Sequence, residues 1–281
     1  MEYTGERMIP GVAGLEDDYI EHLARYIFAS ERLEGKRVLE TGCGSGYGAA
    51  LLSEWAAEVV AIDCSGEAIA WCRKRYGRSN LHFEKMDCRQ LAFRGGTFDA
   101  VVSFELLEHL NERDQLFYLE EVVRVLNDDR GELFISTPNV DHNRYVSPFH
   151  KRELTLDEFQ HLLRRHFRQM EIYGQSVRPE TARGRRLERK MTELEARLAR
   201  AESQLAHPGR LFAKALLPPM LRRAVRPWLK RLLPGEEAMI AESAVGETGF
   251  PAPLTLEEVE FRLDRLDKAR TFLAVCARGK E

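Results

Sequence analysis

Nowhere in these 281 residues do about 18 apolar side chains run together, so no segment reads as a membrane-crossing helix. Cysteine is scarce and scattered. Cys43, Cys64, Cys72, Cys88 and Cys276 are odd in number and lack paired spacing, which excludes a disulfide framework and a zinc-finger-like site and suits a reducing compartment. No His-Glu-x-x-His occurs, and His161 and His166, five apart on a predicted helix, fall on different faces, so no metal is expected. Aromatics form 9% of the chain, too few in its basic stretches to interleave as a stacking platform, so no specific nucleic-acid partner is expected. The opening MEYTGERMIP lacks the apolar core of a signal peptide, and a cytoplasmic location is expected.

What is present divides unevenly. The net charge of −3 hides a basic region between Gly174 and Gly235 that holds 15 Lys and Arg against 5 Asp and Glu, while the remainder holds 27 against 40. Apolar runs suited to strands alternate with amphipathic segments as far as Gly174, and a further β-like run, TFLAVCARG, lies near the C-terminus. The expected organisation is an α/β core over 1–174, a basic helical insertion over 175–255, and a C-terminal helix and last strand over 256–281 that complete the core.

The segment KRVLETGCGSGYGAALL, Lys36 to Leu52, passes from a buried-strand pattern through a glycine turn into a helix opening. Gly42, Gly44 and Gly46 permit backbone angles closed to other residues and close approach of a ligand, and a helix N-terminus offers free N–H groups. A dinucleotide pattern fails from Gly42 at Tyr47 but is met from Gly44 by Gly46 and Ala49, so a nicotinamide-dependent oxidoreductase stays open on the motif alone. Glu40 stands at the strand's tip, where a carboxylate repels a pyrophosphate and attracts a cation. The next strand, EVVAID, ends at Asp63, 21 residues after Gly42, the spacing of an acid that accepts hydrogen bonds from ribose hydroxyls.

The run Glu40-Thr-Gly-Cys-Gly-Ser-Gly46 resembles the acidic-x-Gly-x-Gly-x-Gly signature of class I S-adenosylmethionine-dependent methyltransferases. Asp87, with Cys88 beside it, then resembles the family's adenine-binding aspartate, and the FDAVVSF strand ending at Phe104 matches the next family element. The resemblance covers roughly 1–173 and 256–281 and implies a doubly wound seven-stranded Rossmann-like sheet with S-adenosylmethionine as cofactor. YTGERMIP and HKRELTLDEF are similar to a bacterial branch associated with sugars, lipid-linked glycans and secondary metabolites.

The family's Asn/Asp-Pro-Pro-Tyr motif for nitrogen methylation is absent after that strand, where SFELLEHL stands. Oxygen methylation needs a base to take the acceptor's proton, and His109 is the leading candidate, with Glu105 one helical turn earlier to orient its ring. His142 and His150 are reserves.

Two features mark the insertion. Leu187, Met191, Leu194, Leu198, Ala201 and Leu205 trace a heptad seam within 183–206, fit for a coiled-coil homodimer or for packing on its own domain. Within 208–234, RLFAKALLPPMLRRAVRPWLKRLLP carries seven basic residues and no acid, fit for peripheral contact with an anionic membrane or for a helical lid. A non-catalytic scaffold built on these two elements is the remaining alternative.

Overall fold

The computed structural model describes residues 6–12, 15–142, 147–177, 255–264, 266 and 269–278. The heptad segment 183–206 and the basic segment 208–234 lie outside the described residues, and with them the expected dimer and membrane contacts. The chain divides into two compact units, one of Met1–Ile9, His22–Ser176 and Phe261–Glu281, the other of Pro10–Glu21 and Val177–Glu260. In the second, the described turn Leu256–Glu258 opens with a reciprocal cap between Thr255 and Glu258.

In chain order the elements are α1 (Glu16–Ser30), β1 (Arg37–Thr41), α2 (Tyr47–Leu52), β2 (Glu58–Asp63), α3 (Gly66–Arg75), β3 (Leu81–Lys85), β4 (Ala100–Phe104), α4 (Glu112–Val125), β5 (Glu132–Pro138), α5 (Leu156–Arg164), β6 (Gln169–Val177), β7 (Val259–Arg262) and β8 (Thr271–Ala277). They build one sheet in the order β3-β2-β1-β4-β5-β8-β6-β7. β1 to β5 are mutually parallel, and β8 runs antiparallel between β5 and β6. The central strands are near-continuous apolar runs because helices cover both faces of a parallel sheet. Val38 and Leu39 of β1 are fully buried, as are Val101 and Val102 of β4.

Local chemistry sets the helix ends. Ser65 caps α3 by accepting from the Ala68 amide, and Arg73, Lys74 and Arg75 occupy its last turn, where cations suit the helix dipole. Asn111 caps α4 by accepting from the Asp114 amide. Thr155 caps α5 with Glu158 closing a capping box. On one sheet face Tyr118, Leu119 and Val122 of α4 and Phe159, Leu162 and Leu163 of α5 pack into a cluster with Val101, Leu133 and Phe272. On this cluster the rings of Phe159 and Phe272 stack 6.0 Å apart.

Two expectations are corrected. The sheet has eight strands rather than seven, because Val259–Arg262 forms an added strand. The C-terminal helix expected before the last strand is replaced, among the described residues, by the three-residue 3-10 turn Leu256–Glu258 and by β7. The strand order reverses direction at β1 and β4, and in open α/β sheets the crevice beyond the strand ends at such a point is where ligands bind.

Candidate active site

The turn after β1 has the backbone its glycines predict. Gly42, Gly44 and Gly46 have φ of 70°, 53° and 79°, all left-handed. Close packing adds a second constraint at two of them. A Cβ on Gly42 would lie 2.9 Å from Leu106 Cδ1, and one on Gly46 would lie 2.6 Å from Cys72 Sγ. The first of these contacts sets the glycine loop directly against the turn that follows β4.

Glu40 is buried, and Tyr26 donates its hydroxyl proton to Glu40 Oε1 at 2.7 Å. The Ala49 amide dipole adds favourable field, but Oε2 is left without a formed hydrogen bond. Burial, against the Tyr26 hydrogen bond and with Asp63 adding repulsion, pushes the Glu40 carboxyl up to about 8. A buried acceptor short of a partner beside three left-handed glycines fits the cationic end of S-adenosylmethionine.

Asp63 ends β2 and braces the same loop. Its Oδ2 accepts from the Gly44 amide at 3.0 Å and its Oδ1 from the Ser65 amide at 2.8 Å. Arg7 Nη2 stands 3.7 Å from Oδ1, and Ser45 Oγ donates to the Met8 carbonyl at 2.7 Å, so residues 7 and 8 lie along the glycine loop. Asp87 follows β3 at the surface. Arg89 holds its carboxylate at 2.6 Å from Nη2, and this charged hydrogen bond keeps Asp87 below the usual carboxylate range. Arg89 also reaches Asp114 at 3.1 Å. Cys88 is half-buried, and burial pushes its thiol up to about 12, which leaves it protonated and unsuited to nucleophilic chemistry. Phe104, at the end of β4, is buried edge-on to Tyr26 with ring centroids 5.0 Å apart.

The expected pairing of Glu105 with His109 across a helical turn is not formed. Glu105 has φ 54°, the one positive value at a non-glycine residue among those described, and Leu107–His109 is a single 3-10 turn. The four-residue spacing brings side chains together only in an α-helix. Glu105 turns instead to accept from Ser136 Oγ at 2.7 Å and lies 3.8 Å from Arg25 Nη2. Arg25 is itself 1% exposed and donates to Gln175 Oε1 at 2.6 Å. The orienting partner of His109 is the Phe149 carbonyl, 3.1 Å from Nδ1. Burial, reinforced by the neighbouring His150, holds His109 below the usual histidine range, with the Phe149 carbonyl opposing.

Of the two reserve histidines, His150 stands edge-on to His109 with ring centroids 5.1 Å apart. Its Nδ1 is 2.5 Å from Glu153 Oε1. His142 lies exposed in the turn after β5. Sequence reading passed over Arg25, Tyr26, Gly48, Glu108 and Phe149. Of these only Gly48 carried a local signal, as a fourth glycine at the helix opening.

Residues 38–129 match the family described as a methyltransferase domain. A probable S-adenosylmethionine-dependent methyltransferase of Mycolicibacterium smegmatis is 36% identical over 165 residues, 57% of this chain and 62% of its own length. A fatty-acid O-methyltransferase of the same organism is 40% identical over 111 residues, 39% of each chain. The crystal structure of an S-adenosylmethionine-dependent methyltransferase from Archaeoglobus fulgidus covers 93% of both chains with a TM-score of 0.53 at 16% identity, a likeness of fold alone. The chain spans about three fifths of the length of the first curated relatives it matches. These matches favour the methyltransferase reading over the nicotinamide one that the glycine pattern left open. By its acidic glycine loop, its sheet and these relatives, the chain is similar to the class I S-adenosylmethionine-dependent methyltransferases, whose cofactor is S-adenosylmethionine, and its residues 38–129 match a methyltransferase domain.

Proposed function

We propose that this chain transfers the methyl group of S-adenosylmethionine to an oxygen of a small acceptor, a sugar, a lipid-linked glycan or a related metabolite. The observation that carries this reading is the contact of Leu106 with Gly42, which sets the turn bearing Glu105, Glu108 and His109 against the cofactor loop. The sulfonium activates the methyl group, so the protein's tasks are to hold donor and acceptor in line and to relieve the acceptor hydroxyl of its proton. As the carbon–sulfur bond breaks, its electron pair stays on sulfur to give S-adenosylhomocysteine, and the acceptor oxygen forms the new bond. His109 is the residue proposed to take the proton, with Phe149 fixing its ring; Glu105 is a positioning residue for the turn, through Ser136 and Arg25.

The cofactor-binding roles proposed are Glu40 toward the cation, the three glycines toward the methionine moiety, Asp63 toward the ribose, and Asp87, Cys88 and Phe104 along the adenine side. Incubation with labelled S-adenosylmethionine and a panel of glycolipid, sugar and fatty-acyl acceptors tests the reading. Label in an alkali-stable ether on a sugar hydroxyl supports it, and label on nitrogen alone refutes it. The fatty-acid O-methyltransferase among the relatives favours a second reading, an ester on a carboxylate, which alkali would release.

The acid-free basic segment supports attachment to an anionic surface that carries lipid-linked acceptors. Co-sedimentation with anionic vesicles at low salt, lost at high salt, is expected. Protein that stays in the supernatant at low salt would remove this location.

Glu40 makes a pH prediction. The free protein holds this carboxyl near 8, and a cation bound beside it favours the ionised form. Binding therefore releases a proton below pH 8, so cofactor affinity should rise with pH up to about tenfold per unit through neutrality and level off above pH 8. Calorimetry of S-adenosylhomocysteine at pH 7 in buffers of different ionisation heat measures that proton. Glu40→Gln should abolish the release; equal release in the variant would place the titrating group elsewhere.

A further inference from the structure

We propose that Glu108, His109 and His150 form a binding site for a divalent transition-metal cation beside the cofactor loop. Its purpose rests on the methyltransferase reading, but its geometry does not. Each of the three residues offers one donor atom, and these atoms lie within 4.8 Å of one another. A cation about 2.0–2.2 Å from each would draw them to roughly 3–4 Å apart, a closure that side-chain rotation supplies.

Both imidazoles are already prepared as ligands. The Phe149 carbonyl can only accept, so Nδ1 of His109 carries its proton and donates it there, which leaves Nε2 with a lone pair. The Glu153 carboxylate takes the same role for His150, 2.5 Å from its Nδ1. A ring nitrogen that donates to a backbone carbonyl or a carboxylate while the other faces the ion is the arrangement that orients metal-binding histidines and strengthens them as donors. The expectation of no metal rested on motifs and spacings local in sequence; this cluster joins residues 41 and 42 apart.

The third ligand is a buried carboxyl group whose described side-chain partner is distant. Glu108 is 1% exposed, and its hydrogen-bond partner among the described side chains is Thr137 Oγ1 at a long 3.5 Å. The backbone around it is fixed, since its carbonyl accepts from the amides of Lys151 at 2.8 Å and Arg152 at 3.1 Å. Those two bonds tie the segment that carries His150 to the turn that carries Glu108 and His109. A carboxyl group buried beside two imidazoles supplies the anionic donor that a divalent cation needs.

Two imidazoles and one carboxylate select a first-row transition ion such as zinc, cobalt, iron or manganese over magnesium and calcium, which prefer oxygen alone. Three protein ligands leave positions open to water or to an acceptor oxygen. In the loaded protein His109 then acts on the acceptor through the cation rather than by direct contact.

The test uses the full chain stripped with chelator and titrated with cobalt(II), read by visible absorption, with metal content measured after desalting from zinc. One equivalent is expected. Glu108→Gln and His150→Ala should each weaken uptake at least tenfold, and Glu153→Gln about 10–100-fold as an outer partner. The exposed His82→Ala, far in sequence from the cluster, should leave uptake unchanged. S-adenosylhomocysteine calorimetry on the same samples reports whether each variant is folded and whether the cofactor reading holds. Protein that binds S-adenosylhomocysteine but takes up no cation overturns the metal site and leaves the methyltransferase reading standing. Equal uptake by wild type and by the double variant His109→Ala/His150→Ala also overturns it.

Discussion

Replacing His109 by alanine should lower turnover about 10²–10⁴-fold, roughly 3–5 kcal/mol of transition-state stabilisation, while S-adenosylhomocysteine affinity stays within a few fold. The asymmetry follows from position. His109 sits on the 3-10 turn after β4, its ring held by the Phe149 carbonyl, and contributes nothing to the glycine loop, to Glu40 or to Asp63. What alanine removes is the lone pair on Nε2, and both roles considered for that atom, proton acceptor and metal ligand, depend on it. Single-turnover rates measure the chemical step directly. Rates within a few fold of wild type would show that the acceptor needs no help to lose a proton, as an ionised carboxylate or a free amine does not. That result would move the proposal from sugar hydroxyls to the ester reading.

Gly48→Ala should destabilise the fold by about 3 kcal/mol or more, although alanine is the better helix former. A Cβ at Gly48 would lie 2.1 Å from Tyr26 Cζ and 2.5 Å from its hydroxyl oxygen. Tyr26 cannot move away without loss, because it is buried, packs edge-on to Tyr47 and Phe104, and donates to Glu40. Displacing it would strip Glu40 Oε1 of its donor and leave the carboxylate with neither oxygen well satisfied. Denaturant unfolding gives the magnitude. A Tyr26→Val background should reduce the cost of Gly48→Ala by vacating the space; costs that simply add would show that the clash is not the cause.

The parts legible in the sequence are those whose meaning is local. Glu40, the three loop glycines and Asp63 follow from strand-end positions within one βαβ unit. What misled was an assumption about the backbone between residues. SFELLEHL has helical spacing from Glu105 to His109, but Glu105 takes a left-handed φ and a 3-10 turn replaces the helix, so the two side chains part. Val259–Arg262, expected within a helix, forms a strand, because sheet pairing overrides the three-and-four repeat of Leu256, Val259, Leu263 and Leu266. The Glu108–His109–His150 cluster joins residues 41 and 42 apart and the Arg25–Gln175 bond residues 150 apart, and nothing local announces such partners.

The placement of β8 has a consequence for how the chain is made. β5 ends at Pro138, but the strand that covers its outer edge, Thr271–Ala277, leaves the ribosome more than 130 residues later. At about 5–20 residues per second this is a delay of roughly 7–27 s, during which β5 presents an unpaired apolar edge. Residues 169–177, synthesised first, cannot take that place correctly, since they pair with β8 and not with β5. The nascent chain is therefore most open to wrong pairing, and most in need of a chaperone, in the interval while the insertion is being translated. The length of that insertion directly sets how long the edge stands open.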